Sequence, residues 1–230
     1  MSDIVEGRII EWREDGRVLI EAALPNLDRA LKREYGRVLV ELIDNRRLTD
    51  EQRKKAWACI GEIADWQGDQ PPAVHWLMKL DFKVSQLKTL RRKVFSLSDC
   101  DMTTAREYIT YLIDFMVRWG VPSKIPLYEL CDDIPRYVYS CLINKRCAVC
   151  GKKADLHHVD KVGMGRDRHD ICHIGMQALP LCRDHHTIGK DNIHQTTDQA
   201  FMEKYHIEPV EIDKEIEKVY RLKTKGKETE

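Results

Sequence analysis

Apolar and polar residues alternate with a period of two at the start of the chain, over Ile4 to Trp12 and again over Arg17 to Ala22. Glu14, Asp15 and Gly16 lie between the two runs, and an Asp-Gly pair there predicts a β-hairpin. A further strand is expected over Arg37 to Ile43. The period then changes. From Thr49, the segment TDEQRKKAWACIGEIADW sets Ala56, Ile60, Ile63 and Ala64 at helical spacing, with Thr49 and Gln52 in the relation of a capping box and Gly68 as the stop. Pro71 opens a short helix holding Trp76 and Leu77. A second strong helix is expected from about Thr103 to Trp119, with Thr104 and Glu107 as its capping pair and Gly120 and Pro122 ending it. Ile134 to Ile143, Asp198 to Tyr205 and Ile212 to Leu222 read as shorter helices, and the terminal KTKGKETE is polar enough to fray.

The composition is that of a globular chain: 230 residues, 43% hydrophobic and 33% charged, with 38 basic against 38 acidic side chains and a mean hydropathy of -0.49. No run approaches the roughly 18 apolar residues of a membrane span, and MSDIVEGR lacks the layout of a signal peptide, so a cytoplasmic protein without a membrane partner is expected. A net charge of zero excludes a uniformly basic nucleic-acid binder. Basic residues nevertheless cluster locally: Lys79 to Lys93 carries six against the single Asp81.

Eight cysteines in a chain of this size do not read as a disulfide framework. Cys59, Cys100, Cys131 and Cys141 are spread among apolar residues and are expected to pack as small hydrophobes. Cys147-x2-Cys150 and Cys182-x2-His185 have the spacing of two zinc knuckles, with Gly151 supplying a permissive turn. Zinc thiolates need a reducing compartment. Cys172 is expected to pack. A zinc staple leaves much of the histidine content unexplained, because seven of the nine histidines lie between His157 and His194.

The runs LHHVDKVGMGRDR and GMQALPLCRDHH resemble the HNH nuclease motif of the zinc-stapled kind. The resemblance implies a two-stranded ribbon and a helix around one divalent ion, magnesium or manganese. It implies His157 as a metal ligand, His158 as the general base and His186 as a further ligand. Adjacent strand residues face opposite ways, so His157 can bind metal while His158 addresses a water, and an imidazole titrates near neutral pH. His194 and His173 compete as the third ligand; a four-residue helical step from His186 falls on Lys190, and His194 serves if TIGKDNI is a bulge or turn. Gln177 stands where the motif usually has asparagine, keeping the amide but leaving a catalytic role open. Arg166 and Arg168 are expected as phosphate contacts.

Residues 36 to 122, including IDNRRLTDEQRKKAWACIGEIADW, VHWLMKLDFK and TTAREYITYLIDFMVRWGVP, resemble the phage recombination mediators of the Orf or NinB type. That implies binding of single-stranded or branched DNA, or of a single-strand-binding protein, and a homodimer. Candidate phosphate contacts are Arg46, Arg47, Lys88, Arg91, Arg92 and Lys93; Trp57, Trp66, Trp76 and Phe82 are either stacking surfaces or core. The expected architecture is α+β: a mixed α/β mediator-like domain over 1–140, a zinc-stapled ββα-metal (HNH) domain over 141–209 and a helical charged tail over 210–230. The functional expectation is a metal-dependent phage HNH endonuclease acting in recombination. Its rivals are a mediator that keeps the zinc and has lost catalysis, and a zinc-ribbon adaptor without nucleic acid.

Overall fold

The computed structural model describes residues 5–34, 36, 38, 40, 42, 44–85, 95–159 and 172–222. Lys88, Arg91, Arg92, Lys93, Arg166 and Arg168 lie outside them, as does part of the strand expected over 37–43. The chain forms two compact units, residues 1–43 and 44–230. Helices and small sheets are mixed throughout, the α+β class expected from the sequence. Among the described residues no helix is long and apolar enough to cross a membrane.

The first unit holds β1 (Gly7–Trp12), β2 (Val18–Ala22) and α1 (Leu27–Lys32). The strands pair antiparallel around a turn in which Gly16 takes a left-handed φ of 81° and donates its amide to the Arg13 carbonyl. Asn26 caps α1 through the Arg29 amide. None of the described residues of this unit is buried.

The second unit begins with three long helices, α2 (Asp50–Gln67), α3 (Pro71–Ser85) and α4 (Met102–Trp119). The capping box at Thr49 and Gln52 forms in both directions, each bond at 3.1 Å, and α2 ends at Gly68 with a φ of 72°. Its apolar stripe, Ala56, Ile60, Ile63 and Ala64, is buried, and α2 packs chiefly on α4, whose Ile109, Leu112, Ile113 and Met116 are buried too. Two boundaries differ from the sequence reading. Helix α3 is not short, because Val74, Met78 and Phe82 at steps of four carry a buried stripe to Ser85. Helix α4 is capped by Asp101 rather than Thr104: the Asp101 carboxylate accepts from both the amide and the hydroxyl of Thr104. Cys59, Cys100, Cys131 and Cys141 are buried as expected, whereas Cys172 is exposed.

Short α5 (Leu127–Leu130) and α6 (Ile134–Ile143) follow, and α6 carries the chain to Cys147. The rest is a three-stranded antiparallel sheet of order β3 (Asp155–His158), β4 (Gln177–Leu181) and β5 (Val210–Glu211), with α7 (Asp198–Tyr205) and α8 (Lys214–Tyr220) beside it. Buried Tyr137 on α6 donates its hydroxyl to the Ala148 carbonyl at 2.8 Å, and Tyr139 donates to Asp213 at 2.9 Å, so the sheet region is docked onto the helices. One apolar core runs through this unit from Leu48 to Ile216.

Candidate metal centres

The first centre grows from a tight turn. Gly151, with a φ of 69°, donates its amide to the Cys147 carbonyl, and the Cys147 amide is held by Lys152; this folds Cys147 and Cys150 toward one point. The second knuckle leaves the end of β4 at Cys182 and turns into a single π-helical turn over Asp184–Ile188. Four ligand atoms, from Cys147, Cys150, Cys182 and His185, lie within 4.8 Å of one another. The Cys150 and Cys182 sulfurs are 3.6 Å apart, and His185 Nδ1 is 3.2 Å from the Cys182 sulfur and 3.6 Å from that of Cys147. Tetrahedral Zn–S bonds of about 2.3 Å place sulfurs roughly 3.8 Å apart, so the set fits a structural zinc. A hydrogen bond from Cys147, offset in part by burial, brings the Cys150 thiol down to about 4. The same bond together with burial pushes the Cys147 thiol up, and burial raises Cys182. Thiols packed this closely are poised to lose protons to a cation.

The second centre is built on the opposing registers of β3 and β4, which set His157 across from Leu179 and His158 across from Ala178. His157, His186 and His194 bring ligand nitrogens within 4.8 Å of one another. His157 Nδ1 is 3.1 Å from His186 Nε2, and the His194 ring lies 5.2 and 5.1 Å, centroid to centroid, from the other two. Burial, followed by the neighbouring His186, lowers the His157 pKa to about 4; burial, followed by His194, lowers that of His186. Both rings are thereby kept neutral, the form that binds a cation. A three-imidazole set leaves positions open for water or substrate, as catalytic sites require. It tolerates manganese better than magnesium, which holds to oxygen ligands.

His185 and His186 are consecutive, yet one belongs to each centre. The π-turn makes this possible, closing with the Gly189 amide on the Asp184 carbonyl at 2.9 Å. A Cβ on Gly189 would stand 2.4 Å from that carbonyl oxygen, so only glycine fits. Beyond it, buried Asn192 donates to the carbonyls of Thr187 and Gly189 and accepts the Gln195 amide, opening a 3-10 turn over Ile193–Gln195 that delivers His194. The turn on which a ligand role for His194 depends is therefore present. Asn192 itself was not singled out by the sequence; its only signal is an Asn two residues before a ligand histidine.

His173 joins neither ligand set. Its Nδ1 is 3.0 Å from His158 Nε2, and it is itself buried. Gln177, first residue of β4, pairs with Glu211 and accepts the Val159 amide through its carbonyl, at the far end of the strand from the cysteines. Asp198 Oδ1 is 3.6 Å from His157 Nε2, a nitrogen that is buried and otherwise without a hydrogen-bond partner among the described residues. Arg46 is held by Asp44 in two bonds of 2.9 Å, which keep that carboxyl well below the usual range, and Arg47 is exposed. Phe82 is core, whereas Trp57, Trp66 and Trp76 are each 40% exposed or more.

Neither a curated protein nor a solved structure matches the chain. A family model does, over residues 24–223, a span that holds both centres and most of the chain, and the protein belongs to that family, described as "Putative HNHc nuclease".

Proposed function

We propose that the protein is a metal-dependent DNA endonuclease in which His157, His186 and His194 hold one divalent ion, manganese before magnesium, and the Cys147, Cys150, Cys182 and His185 set holds a structural zinc. The observation that carries this reading is the pairing of a three-imidazole set with a separately supported imidazole, His158, which follows His157 on β3. The ion, when bound, supplies positive charge to the scissile phosphate and to the leaving oxygen. His158 is steadied at Nε2 by His173 Nδ1, and its Nδ1 takes a proton from the attacking water. The water oxygen then bonds to phosphorus, the bond from phosphorus to the leaving oxygen breaks, and the proton of the new terminal hydroxyl comes from solvent. His173 therefore acts as a positioning residue for the base rather than as a third ligand. Gln177 is outside the reacting set in this scheme.

The part before Cys147 is proposed to engage the DNA. Exposed Trp57 and Trp76, with Lys79 Nζ 5.6 Å from the Trp76 ring centre, offer flat cationic surfaces of the sort on which unpaired bases stack. Together with the resemblance of residues 36 to 122 to recombination mediators, this favours single-stranded or branched DNA and a place in phage recombination. The test is cleavage by the purified chain of single-stranded, duplex and branched DNA with manganese, magnesium or EDTA, native against His158→Ala. Metal-dependent cleavage that the variant lacks supports the proposal. No cleavage of any substrate with either ion would overturn it in favour of a zinc-bearing DNA-binding protein.

A further inference from the structure

We infer that Asp198, on the first turn of α7, is the carboxylate that orients the His157 imidazole for metal binding, accepting the Nε2 proton so that Nδ1 presents its lone pair to the ion. The inference rests on the three-imidazole metal site proposed above.

Three observations carry it. First, the two nitrogens of His157 face different surroundings. Nδ1 is 3.1 Å from His186 Nε2, inside the ligand cluster, whereas Nε2 is 3.6 Å from Asp198 Oδ1. A neutral imidazole carries its proton on only one nitrogen, so a ligand at Nδ1 requires the proton at Nε2. Second, that Nε2 is buried and has no hydrogen-bond partner among the described residues, in a side chain only 6% exposed. A buried donor left in this state is destabilising. Asp198 lies within about 0.8 Å of ordinary hydrogen-bond length, and a small rotation of its side chain closes the gap. Third, Asp198 does not serve as the helix cap. Thr197 already caps α7 by accepting the Ala200 amide, and Asp198 lies outside the group of three ligand nitrogens.

Helix α7 is well anchored for the task. Lys204 pairs with Asp191 in the loop that leads to His194, and Phe201 and Tyr205 set their rings against His185 at centroid separations of 6.5 and 5.7 Å. One short helix thus touches both ligand sets, and its carboxylate is the group that reaches the buried histidine. Metal-ligating histidines regularly give their second N–H to such a carboxylate, and losing the acceptor weakens metal binding by about 10- to 100-fold.

The test is calorimetric titration of manganese, and separately nickel, into full-length protein carrying one zinc, for the native chain, Asp198→Ala, Asp198→Asn and His186→Ala. Asp198→Ala is expected to bind the second ion about 10- to 100-fold more weakly. Asp198→Asn should recover much of that loss, since its amide oxygen still accepts from Nε2 and its shape is unchanged. Zinc content should stay at the native value in both. Affinity within about twofold of native in Asp198→Ala, with His186→Ala clearly weakened, would overturn the role of Asp198 alone. A native chain that binds no second ion, or binds it as His186→Ala does, would overturn the metal site and this inference with it.

Discussion

Between Leu48 and Leu142 the chain buries Ile60, Ile63, Tyr108, Ile109, Leu112, Ile113 and Met116 along long helices, and the strands between Asp155 and Glu211 are four, five and two residues long. The helical region can be held by apolar contact alone. The sheet region shares that core through Leu179, Leu181, Ile193, Phe201 and Ile207, but others of its buried residues are alanines, such as Ala148, Ala154 and Ala178, and two- to five-residue strands are marginal without other support. What it has in addition is seven candidate ligand side chains in two clusters. Within these clusters a second contrast appears. The thiolate-rich set offers four donors and closes its tetrahedron, which suits a staple; the imidazole set offers three and stays open, which suits chemistry.

The largest effect should come from taking one donor from the closed set. Cys150→Ala is expected to lose the zinc, measured by elemental analysis, and several kcal/mol with it. At roughly 2–4 °C per kcal/mol, the melting midpoint should fall by about 10 °C or more. Hydrogen exchange should rise across residues 147–159 and 172–212 and stay slow in Asp50–Gln67 and Met102–Trp119. Retained zinc with an unchanged midpoint would erase the contrast between the regions.

His158→Ala should cut the cleavage rate about 10²- to 10⁴-fold while leaving metal content and melting midpoint near native. A variant that also loses the second ion would make His158 a ligand rather than a base. Leu112→Ala works on the other region: a fully buried leucine in a helical core should cost about 2–5 kcal/mol in denaturant unfolding, with zinc content untouched. A loss below about 1 kcal/mol would mean that the helices are not the apolar half of the molecule.

The smallest effect is one of pH. Half-buried His75 contacts Tyr108 at 3.1 Å, and burial, followed by the charge of Lys79, lowers its pKa from 6.5 to about 4. The unfolded chain therefore binds the proton first, so this group's contribution is whole above about pH 6.5 and is lost as the pH falls toward 4. Melts of His75→Phe between those limits should show a shallower loss of stability on acidification than the native chain. Parallel curves would count against it.

Legibility in the sequence followed distance along the chain. The cysteine knuckles, the Thr49 and Gln52 box and the Gly68 and Gly120 stops each depend on residues three or four apart, and all could be read directly. His194 was half legible, because its delivery hangs on the π-turn at Gly189 and the bonds of Asn192, which no helical or strand period announces. His173 and Asp198 were not legible as partners of His158 and His157. The contacts span 15 and 41 residues and arise only when β4 and α7 take their places beside β3. The exposure of Trp57 and Trp76 was also open, since helical spacing marks a stripe without saying how wide the buried face is.

The splitting of His185 and His186 between two clusters has a consequence for redox control. If the proposed zinc is bound, its thiolates are the groups most readily oxidised, and an oxidised Cys147, Cys150 or Cys182 would give up its share of the ion. His185 would then be released, and His186, one peptide bond away on the same π-turn, would be less firmly aimed. On the function proposed above, damage at a sulfur would thus be carried to the neighbouring imidazole set without any long-range rearrangement, and reducing agent together with zinc would restore it.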